Sequence, residues 1–303
     1  MNNLNIIEKI NELRKKRNAV ILAHNYQLPE VQDIADFVGD SLELAQQAAL
    51  REAEVIVLCG VRFMAETAAI TNPEKIILIP DMTAGCPMAE MIDGKKVREL
   101  KKKYPEAAVV CYVNSTVEVK AESHICCTSS NAQKVVESLK DYKQIIFVPD
   151  KYLGHFLSLS SDKEFILTNG YCPTHCKISP RLIDELKEKN INAEVLVHGE
   201  CTPAVKEKAD KILSTGKMCS YVKNSSKKDF IIGTEREILH RIRRESPEKN
   251  FIQASPLAVC PNMKKNNLEK ILSVLENMEN RIVVNQTIGD KARKCIERML
   301  EIK

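Results

Sequence analysis

Short apolar segments alternate along the chain with amphipathic stretches whose apolar residues recur at the helical period. The short segments are rich in Val and Ile, and most lack the polar alternation of a half-exposed strand. Segments of this kind are typical of parallel strands that helices cover on both faces. The pattern predicts strands at 19–23, 55–58, 76–79, 108–113, 125–127, 145–148, 165–167, 194–197, 211–213, 230–232, 251–254 and 282–284.

Residues that favour helix ends lie between these segments. Pro29 suits a first helical position, and Gly39 suits the end of the same helix. Cap residues followed by a matching partner predict further helix starts at Asp40 with Glu43, Thr234 with Glu237, Ser179 with Pro180, and Thr202 with Pro203. Strands and helices therefore alternate, which predicts the α/β class.

The chain contains an internal repeat with three copies. Its Cys-Pro dipeptides, at Cys86, Cys172 and Cys260, are separated by 86 and 88 residues, and each follows an apolar run. Three further sets of residues align with separations of 88 and 86. They are the strand-end rings His24, Tyr112 and His198; the residues two positions later, Tyr26, Asn114 and Glu200; and the pairs Asp40-Ser41, Thr128-Ser129 and Ser214-Thr215 before helical patterns.

The repeat predicts three similar three-layer αβα units, each with a small parallel sheet, around a pseudo-three-fold axis. We place the units at residues 1–88, 89–174 and 175–262, and expect the C-terminal helices of 263–303 to pack back on the first unit. Ligands of parallel sheets bind outside the carboxyl ends of the strands. The aligned residues are therefore expected to converge on one pocket.

The three repeated cysteines are candidate metal ligands. Three thiolates suit zinc or an iron–sulfur cluster, and a following proline stiffens a ligand loop. Structural zinc usually takes four closely spaced ligands, whereas three cysteines on a four-iron cluster leave one iron open as a Lewis acid. Cys172 with His175 and Cys176 is either a fragment of a zinc site or a loop, and Cys201 is equally open. The remaining cysteines, Cys59, Cys111, Cys126, Cys127, Cys219 and Cys295, are expected in the core.

The aligned polar residues predict an anionic ligand and acid–base chemistry. Hydroxyls at the expected helix N-termini, Ser41, Ser129 and Thr215, suit a small substrate with two or three carboxylate or phosphate groups. Glu200 is the only carboxylate among the strand-end positions, which makes it a candidate general acid or base. The rings of His24, His198, Tyr26 and Tyr112 can orient the substrate or donate protons to it.

Charge and composition exclude several classes of function. The 303 residues include 45 Lys and Arg against 41 Asp and Glu, a net charge of +4 that is too balanced for a nucleic-acid partner. No apolar run of the sequence is long enough for a membrane span. The sequence also contains no phosphate-loop motif that would indicate a nucleotide. Residues 1–17 lack the apolar core of a signal peptide, so we expect a cytoplasmic protein.

Several segments resemble the quinolinate synthase family from about Ala19 to Leu268. They are LAHNYQ, GDSLELA, CYVNS, CTSSNA, VHGEC, STGKM and CPNMK. The resemblance implies three αβα domains around a pseudo-three-fold axis and a [4Fe-4S] cluster with an open iron on Cys86, Cys172 and Cys260. It also implies a transferase of NAD biosynthesis that condenses iminoaspartate with dihydroxyacetone phosphate, giving quinolinate, phosphate and two waters.

The resemblance further implies roles for individual residues. Glu200 matches the catalytic carboxylate, and Tyr26 matches the tyrosine beside the open iron. The carboxylates and phosphate would be held by His24, Ser41, Tyr112, Asn114, Ser129, His198, Ser214 and Thr215. An enzyme that oxidises aspartate would supply the iminoaspartate, with no nucleic acid or membrane as partner.

The chain departs from the family pattern at three places. Gly199 stands where members often have proline, Val259 precedes the last ligand where some have further cysteines, and Lys217 ends a turn that often reads Ser-Thr-Ser-Gly. Two alternatives also stay open. One is another [4Fe-4S]-dependent hydro-lyase, and the other is a zinc-stapled, non-enzymatic protein that binds anions.

Overall fold

A computed structural model describes residues 3–302. Within that range the strands form three parallel sheets of four strands each. All three have the same order, in which the first strand of the unit lies between its second and third, with the fourth outside the third. The expected α/β class with three similar units is confirmed.

The strands follow the chain in three groups of four. The first group is β1 (Ala19–His24), β2 (Phe37–Gly39), β3 (Val55–Cys59) and β4 (Ile76–Leu78). The second is β5 (Ala108–Tyr112), β6 (Ile125–Cys127), β7 (Gln144–Val148) and β8 (Glu164–Leu167). The third is β9 (Glu194–Val197), β10 (Lys211–Ile212), β11 (Asp229–Gly233) and β12 (Asn250–Gln253).

Helices connect and cover these strands. In the first group they are α1 (Asn3–Lys16), α2 (Pro29–Ile34), α3 (Ser41–Leu50) and α4 (Arg62–Thr71). In the second they are α5 (Gly94–Lys103), α6 (Val117–Ala121), α7 (Ala132–Ser138) and α8 (Lys151–Ser158). In the third they are α9 (Pro180–Lys189), α10 (Pro203–Lys206), α11 (Thr215–Asn224) and α12 (Ile238–Glu245), followed by α13 (Leu268–Asn277) and α14 (Gln286–Glu301).

The inner strands are covered on both faces. Every residue of β3 and of β5 is buried, as the continuous Val and Ile runs predict. Because all four strands of each sheet run parallel, their carboxyl ends share one edge. The loops that carry the aligned polar residues follow these ends.

The strand prediction was wrong in two places. Residues 282–284 are not a strand: only Arg281 makes an isolated antiparallel bridge, to Leu78, and Val283 is 82% exposed. The sequence prediction also missed β2. Gly39 lies in this strand, paired with His24, because α2 already ends at Ile34.

One of the two predicted capping boxes is present, and the other is not. Asp40 and Glu43 form the predicted capping box at α3. The predicted box at Thr234 and Glu237 was wrong, because α12 begins only at Ile238 and the Thr234 hydroxyl contacts the side chains of Tyr26 and His175. Ser179 and Thr202 precede the helices that start with proline, without a side-chain cap bond.

The two C-terminal helices pack at different places. Helix α13 packs against α1 beside the first sheet. Helix α14 lies against α4, α6 and β6, so it joins the first group of elements to the second. Both helices were expected on the first unit, and α14 in addition contacts the second, where its buried Cys295 meets Cys126. The predicted domain boundaries stay predictions.

A helix that crosses a bilayer needs about 20 consecutive, mostly apolar residues. Within residues 3–302, no helix combines the length and the apolar composition that crossing a membrane requires.

Candidate active site

The carboxyl ends of the inner strands surround a single cavity. The polar residues that follow β1, β5 and β9 line its wall, as the repeat predicts. Of the residues predicted for the site, those that line the cavity are His24, Tyr26, Ser41, Cys86, Tyr112, Asn114, Ser129, Cys172, His198, Glu200, Thr215 and Cys260. The cavity thus draws on all three sheets.

Three loops bring the repeated cysteines to the cavity. Cys86, Cys172 and Cys260 are free and half-buried, and a short 3-10 turn follows each of them. Burial raises the pKa of Cys86 to about 12 and also raises those of Cys172 and Cys260. As free thiols they are therefore protonated near neutral pH, and a bound cation would have to displace those protons.

The spacing of the three sulfurs distinguishes between kinds of metal centre. Around one zinc ion, thiolate sulfurs lie about 3.8 Å apart, given a Zn–S distance of about 2.3 Å. Among residues 3–302, the one cluster of three ligating atoms within 4.8 Å of one another is formed by Cys172, His175 and Glu200. At least one pair of the three cysteine sulfurs therefore lies more than 4.8 Å apart, farther than two sulfurs on one zinc ion, and three sulfur donors suit a larger iron–sulfur group.

Glu200 is a buried carboxylate with several hydrogen-bond donors. The Tyr112 hydroxyl donates to Oε1, and Asn114 Nδ2 lies 3.4 Å from the same oxygen. His175 Nδ1 lies 3.0 Å from Oε2. Burial opposes ionisation, but the contacts with His175 and Tyr112 outweigh it and hold the pKa of Glu200 below its usual range. The side chain is therefore an ionised proton acceptor.

Two histidines have the same local geometry in two units. The backbone N–H of Tyr26 donates to His24 Nδ1 at 3.2 Å, and that of Glu200 donates to His198 Nδ1 at 3.3 Å. Burial lowers the pKa of His24 to about 3 and that of His198 to about 4. Both rings are therefore neutral near pH 7, with the proton on the Nε2 atom.

A hydroxyl connects Tyr26 to His175. The Tyr26 hydroxyl lies 2.5 Å from Thr234 Oγ1, and His175 Nε2 lies 2.9 Å from the same atom. The other ring nitrogen of His175 contacts Glu200 and, at 3.1 Å, Cys172 Sγ. The ring of His175 also stacks on that of His198, with centroids 4.8 Å apart. Tyr26 and Glu200 thus belong to one buried network.

In two of the aligned polar pairs, Asp40-Ser41 and Ser214-Thr215, the first residue caps a helix and the second lines the cavity. Ser41, Ser129 and Thr215 line the cavity, while the N-cap residues of α3 and α11 are Asp40 and Ser214. Ser41 and Thr215 are thus the first residues of α3 and α11, as expected for hydroxyls at helix N-termini, whereas Ser129 lies before Asn131, the N-cap of α7. Ser214 does not line the cavity, because its hydroxyl caps α11 and lies 2.7 Å from Ser130 Oγ.

Ser130 joins the three units behind the cavity. Its hydroxyl donates to Asp40 Oδ2 and contacts Ser214, so one residue from each unit meets here. Asn25 Nδ2 adds a bond of 2.9 Å to Thr215 Oγ1 between the first and third units. These bonds hold the cap residues of the two helices in fixed positions beside the cavity.

A buried ion pair positions the third cysteine loop. Lys264 Nζ lies 2.8 Å from Glu235 Oε1, and Glu235 is fully buried. The same oxygen accepts the backbone N–H of Cys260 at 3.1 Å. Lys264 also donates to the carbonyl of Tyr26. The pair thereby links the Cys260 loop to the Tyr26 segment.

Part of this site has no clear signal in the sequence. The motif of Cys172, His175 and Cys176 leaves His175 either a ligand or a loop residue, and the structure buries its ring at the centre of the network. Thr234 was predicted only as a helix cap, and Glu235 and Lys264 lie outside the aligned positions of the repeat, so none of the three was a candidate for the site. Cys201 is buried, with its thiol 3.4 Å from the Gly233 carbonyl oxygen, and lies outside the cavity wall.

Fold and cavity together define a class of protein, a three-sheet α/β enzyme with a cavity lined by thiols, neutral histidines and an ionised carboxylate. A family model described as quinolinate synthetase A protein matches residues 8–301. The chain is 56% identical over 297 residues to the quinolinate synthase of Dehalococcoides mccartyi (strain CBDB1), covering 98% of each chain.

Further relatives give the same picture. Identity is 52% with the quinolinate synthase of Geobacter sp. (strain M21), over 97% of this chain and 96% of the relative. Identity is 50% with the quinolinate synthase of Methanosarcina barkeri (strain Fusaro / DSM 804), over 100% of this chain and 99% of the relative. The chain therefore belongs to the quinolinate synthetase A family. Membership favours the expected function over a different hydro-lyase or a zinc-stapled binding protein.

Proposed function

We propose that this chain is a quinolinate synthase, a transferase of NAD biosynthesis that condenses iminoaspartate with dihydroxyacetone phosphate. The observation that carries the proposal is the convergence of Cys86, Cys172, Cys260 and Glu200 on one cavity. Thiols for a metal centre, an ionised base and neutral hydrogen-bond donors stand together there. Each is a group that the formation of quinolinate, with loss of phosphate and two waters, requires.

Cys86, Cys172 and Cys260 would hold a [4Fe-4S] cluster. Three soft sulfur donors on three loops, with at least one pair of sulfurs more than 4.8 Å apart, fit a cluster better than zinc. When bound, the cluster supplies a Lewis-acidic iron that favours the departure of a hydroxyl group as water. Lys264 beside Cys260 would offset part of the negative charge of thiolate ligands.

The cavity wall would hold the anionic groups of the substrates. The hydroxyls of Ser41, Ser129 and Thr215 point to a carboxylate or phosphate, and α3 and α11 start beside two of them. His24 and His198 would donate from neutral Nε2–H groups, with His198 Nε2 already 3.1 Å from Ser129 Oγ. Tyr112 and Asn114 complete the set, whereas Ser214 would act by capping α11.

Glu200 would accept and return the protons of the condensation. It is ionised in a buried wall, so it can take a proton from a substrate carbon and deliver one to a leaving oxygen. Tyr112 and His175 hold its two oxygens in place. Tyr26 stands on the same network through Thr234 and would donate to an oxygen at the metal centre.

The nature of the substrate implies a supplier. Iminoaspartate is an imine that water hydrolyses, so an enzyme that oxidises or dehydrogenates aspartate must produce it nearby. We place the protein in the cytoplasm, because eleven free cysteines suit a reducing compartment.

The test measures quinolinate by liquid chromatography, after anaerobic incubation of the reconstituted chain with both substrates. The wild-type protein should form quinolinate. Glu200→Gln keeps the size and the hydrogen-bond acceptor, so its cluster absorbance should be unchanged while turnover falls about 100-fold or more. Quinolinate formation at the wild-type rate by Glu200→Gln would remove the assigned role, and no quinolinate from wild-type protein would overturn the proposal.

A further inference from the structure

Three different ligand atoms meet inside the cavity. Cys172 Sγ lies 3.1 Å from His175 Nδ1, and Glu200 Oε2 lies 3.0 Å from the same nitrogen. All three atoms fall within 4.8 Å of one another, and the side chains of His175 and Glu200 are 1% and 6% exposed. We propose that the cluster-free protein binds one zinc ion at Cys172, His175 and Glu200.

The donor set favours zinc over harder cations. Thiolate, imidazole and carboxylate are the three ligand types of protein zinc sites, while calcium and magnesium take oxygen. Tetrahedral zinc separates such ligand atoms by about 3.4–3.6 Å. The contacts of His175 Nδ1 with Cys172 Sγ and with Glu200 Oε2 therefore have to lengthen by about 0.5 Å. All three side chains line the cavity, and a water molecule from it would take the fourth position.

The surroundings of these side chains match those of metal ligands. A metal-bound histidine usually bonds an oxygen through its other ring nitrogen, and His175 Nε2 has Thr234 Oγ1 at 2.9 Å. A ligating carboxylate is usually hydrogen-bonded in turn, and the Tyr112 hydroxyl donates to the other oxygen of Glu200. Both ligands are thus already oriented.

Zinc at this site would exclude the active form of the enzyme. Binding releases the Cys172 thiol proton to water and uses Cys172 and Glu200 together. The same thiolate then cannot join Cys86 and Cys260 around a cluster. The proposed ion site rests on the contacts among Cys172, His175 and Glu200, whereas the competition with the cluster rests on the proposed function. Zinc-loaded chain should resist reconstitution with iron and sulfide until a chelator removes the ion.

The test titrates cobalt(II), a spectroscopic substitute for zinc, into the full-length cluster-free chain without oxygen. The thiolate-to-cobalt charge-transfer band reports how many thiolates bind. Wild type should bind one ion with the intensity of one thiolate. Cys172→Ser should lose the band, and Cys86→Ser, the matched control, should keep it. Circular dichroism checks that each variant is folded.

Two further variants test the ligand and its support. His175→Gln should weaken zinc affinity at least about 100-fold, and Thr234→Val about 10- to 100-fold, measured by competition with a chromophoric chelator. An intensity of two or three thiolates, equal loss of the band in Cys86→Ser, or no bound ion would overturn the proposal. Because the titration uses neither substrate nor cluster, its failure leaves the quinolinate assay unaffected.

Discussion

Thr234 is the residue whose importance is least visible in the sequence. Its hydroxyl stands between the Tyr26 hydroxyl and His175 Nε2, and it is fully buried. Removing one partner of a buried hydrogen bond leaves the others unsatisfied, which costs more than the bond itself contributes. The network therefore depends on one buried hydroxyl, which joins Tyr26 of the first unit to His175.

We predict that Thr234→Val, which has nearly the same shape, lowers the free energy of unfolding by about 1–3 kcal/mol. Urea unfolding followed by circular dichroism measures the change. Thr234→Ser keeps the hydroxyl, so its loss should be smaller. Equal stability of the valine variant and the wild type would contradict the role assigned to this hydroxyl.

At the scale of elements, loops from different units are tied by buried charges. Glu235 follows β11, and Lys264 lies in the turn after Cys260. Their contact fixes the loop of the third cysteine and the backbone of Tyr26 together. A buried charge that loses its partner is strongly destabilising.

We predict that Lys264→Met destabilises the chain by about 3 kcal/mol, near the lower end for a buried pair because Lys264 is itself 16% exposed. Thermal and urea unfolding measure the loss. Lys265→Met is the matched control, since this lysine donates only to the exposed Thr83 carbonyl, and its change should stay within about 0.5 kcal/mol. Similar losses of stability in Lys264→Met and Lys265→Met would contradict the role of the ion pair between Lys264 and Glu235.

The start of α11 is packed against α3. A Cβ atom at Gly216 would lie 2.9 Å from Asp40 Oδ2 and 3.0 Å from Glu43 Oε2, and the capping box holds both of these carboxylates. An added methyl group therefore has to displace a carboxylate from its hydrogen bonds.

Gly216→Ala should consequently destabilise the chain by about 1–3 kcal/mol, although alanine in a helix normally stabilises by about 1 kcal/mol relative to glycine. The control Ser220→Ala, on the exposed side of the same helix, should be neutral or slightly stabilising. A stabilising effect of Gly216→Ala in denaturant unfolding would show that the two helices are not in close contact here.

The sequence predicted the strands that are long and buried, and it failed where local signals are weak. Strands such as β3 consist of apolar residues on both faces, so their pattern is unambiguous. Strand β2 has only three residues and is held by its pairing with β1. The residue before β2, Asp36, adds a further tie, because its carboxylate accepts the backbone N–H of Ile21 in β1. Such long-range pairing leaves no periodic signal in the chain.

At the scale of the whole molecule, the repeat explains why the site was largely predictable. Equivalent positions in three parallel sheets lie at equivalent strand ends, so alignment alone grouped the cysteines and the strand-end polar residues. Residues that occur in one unit only, such as His175 and Glu235, escaped because alignment cannot find them. The packing of α14 against α6 and β6 was likewise not predicted, because it is set by contacts between residues far apart in the chain.

We propose that Cys86, Cys172 and Cys260 together hold one iron–sulfur cluster. The most direct test is the iron and acid-labile sulfide content of the chain, purified and reconstituted without oxygen. We predict about four of each per chain for the wild type and for the core variant Cys219→Ser, and loss of both in Cys86→Ser. Zinc or no metal in the reconstituted wild type, or a full complement in Cys86→Ser, would contradict the claim.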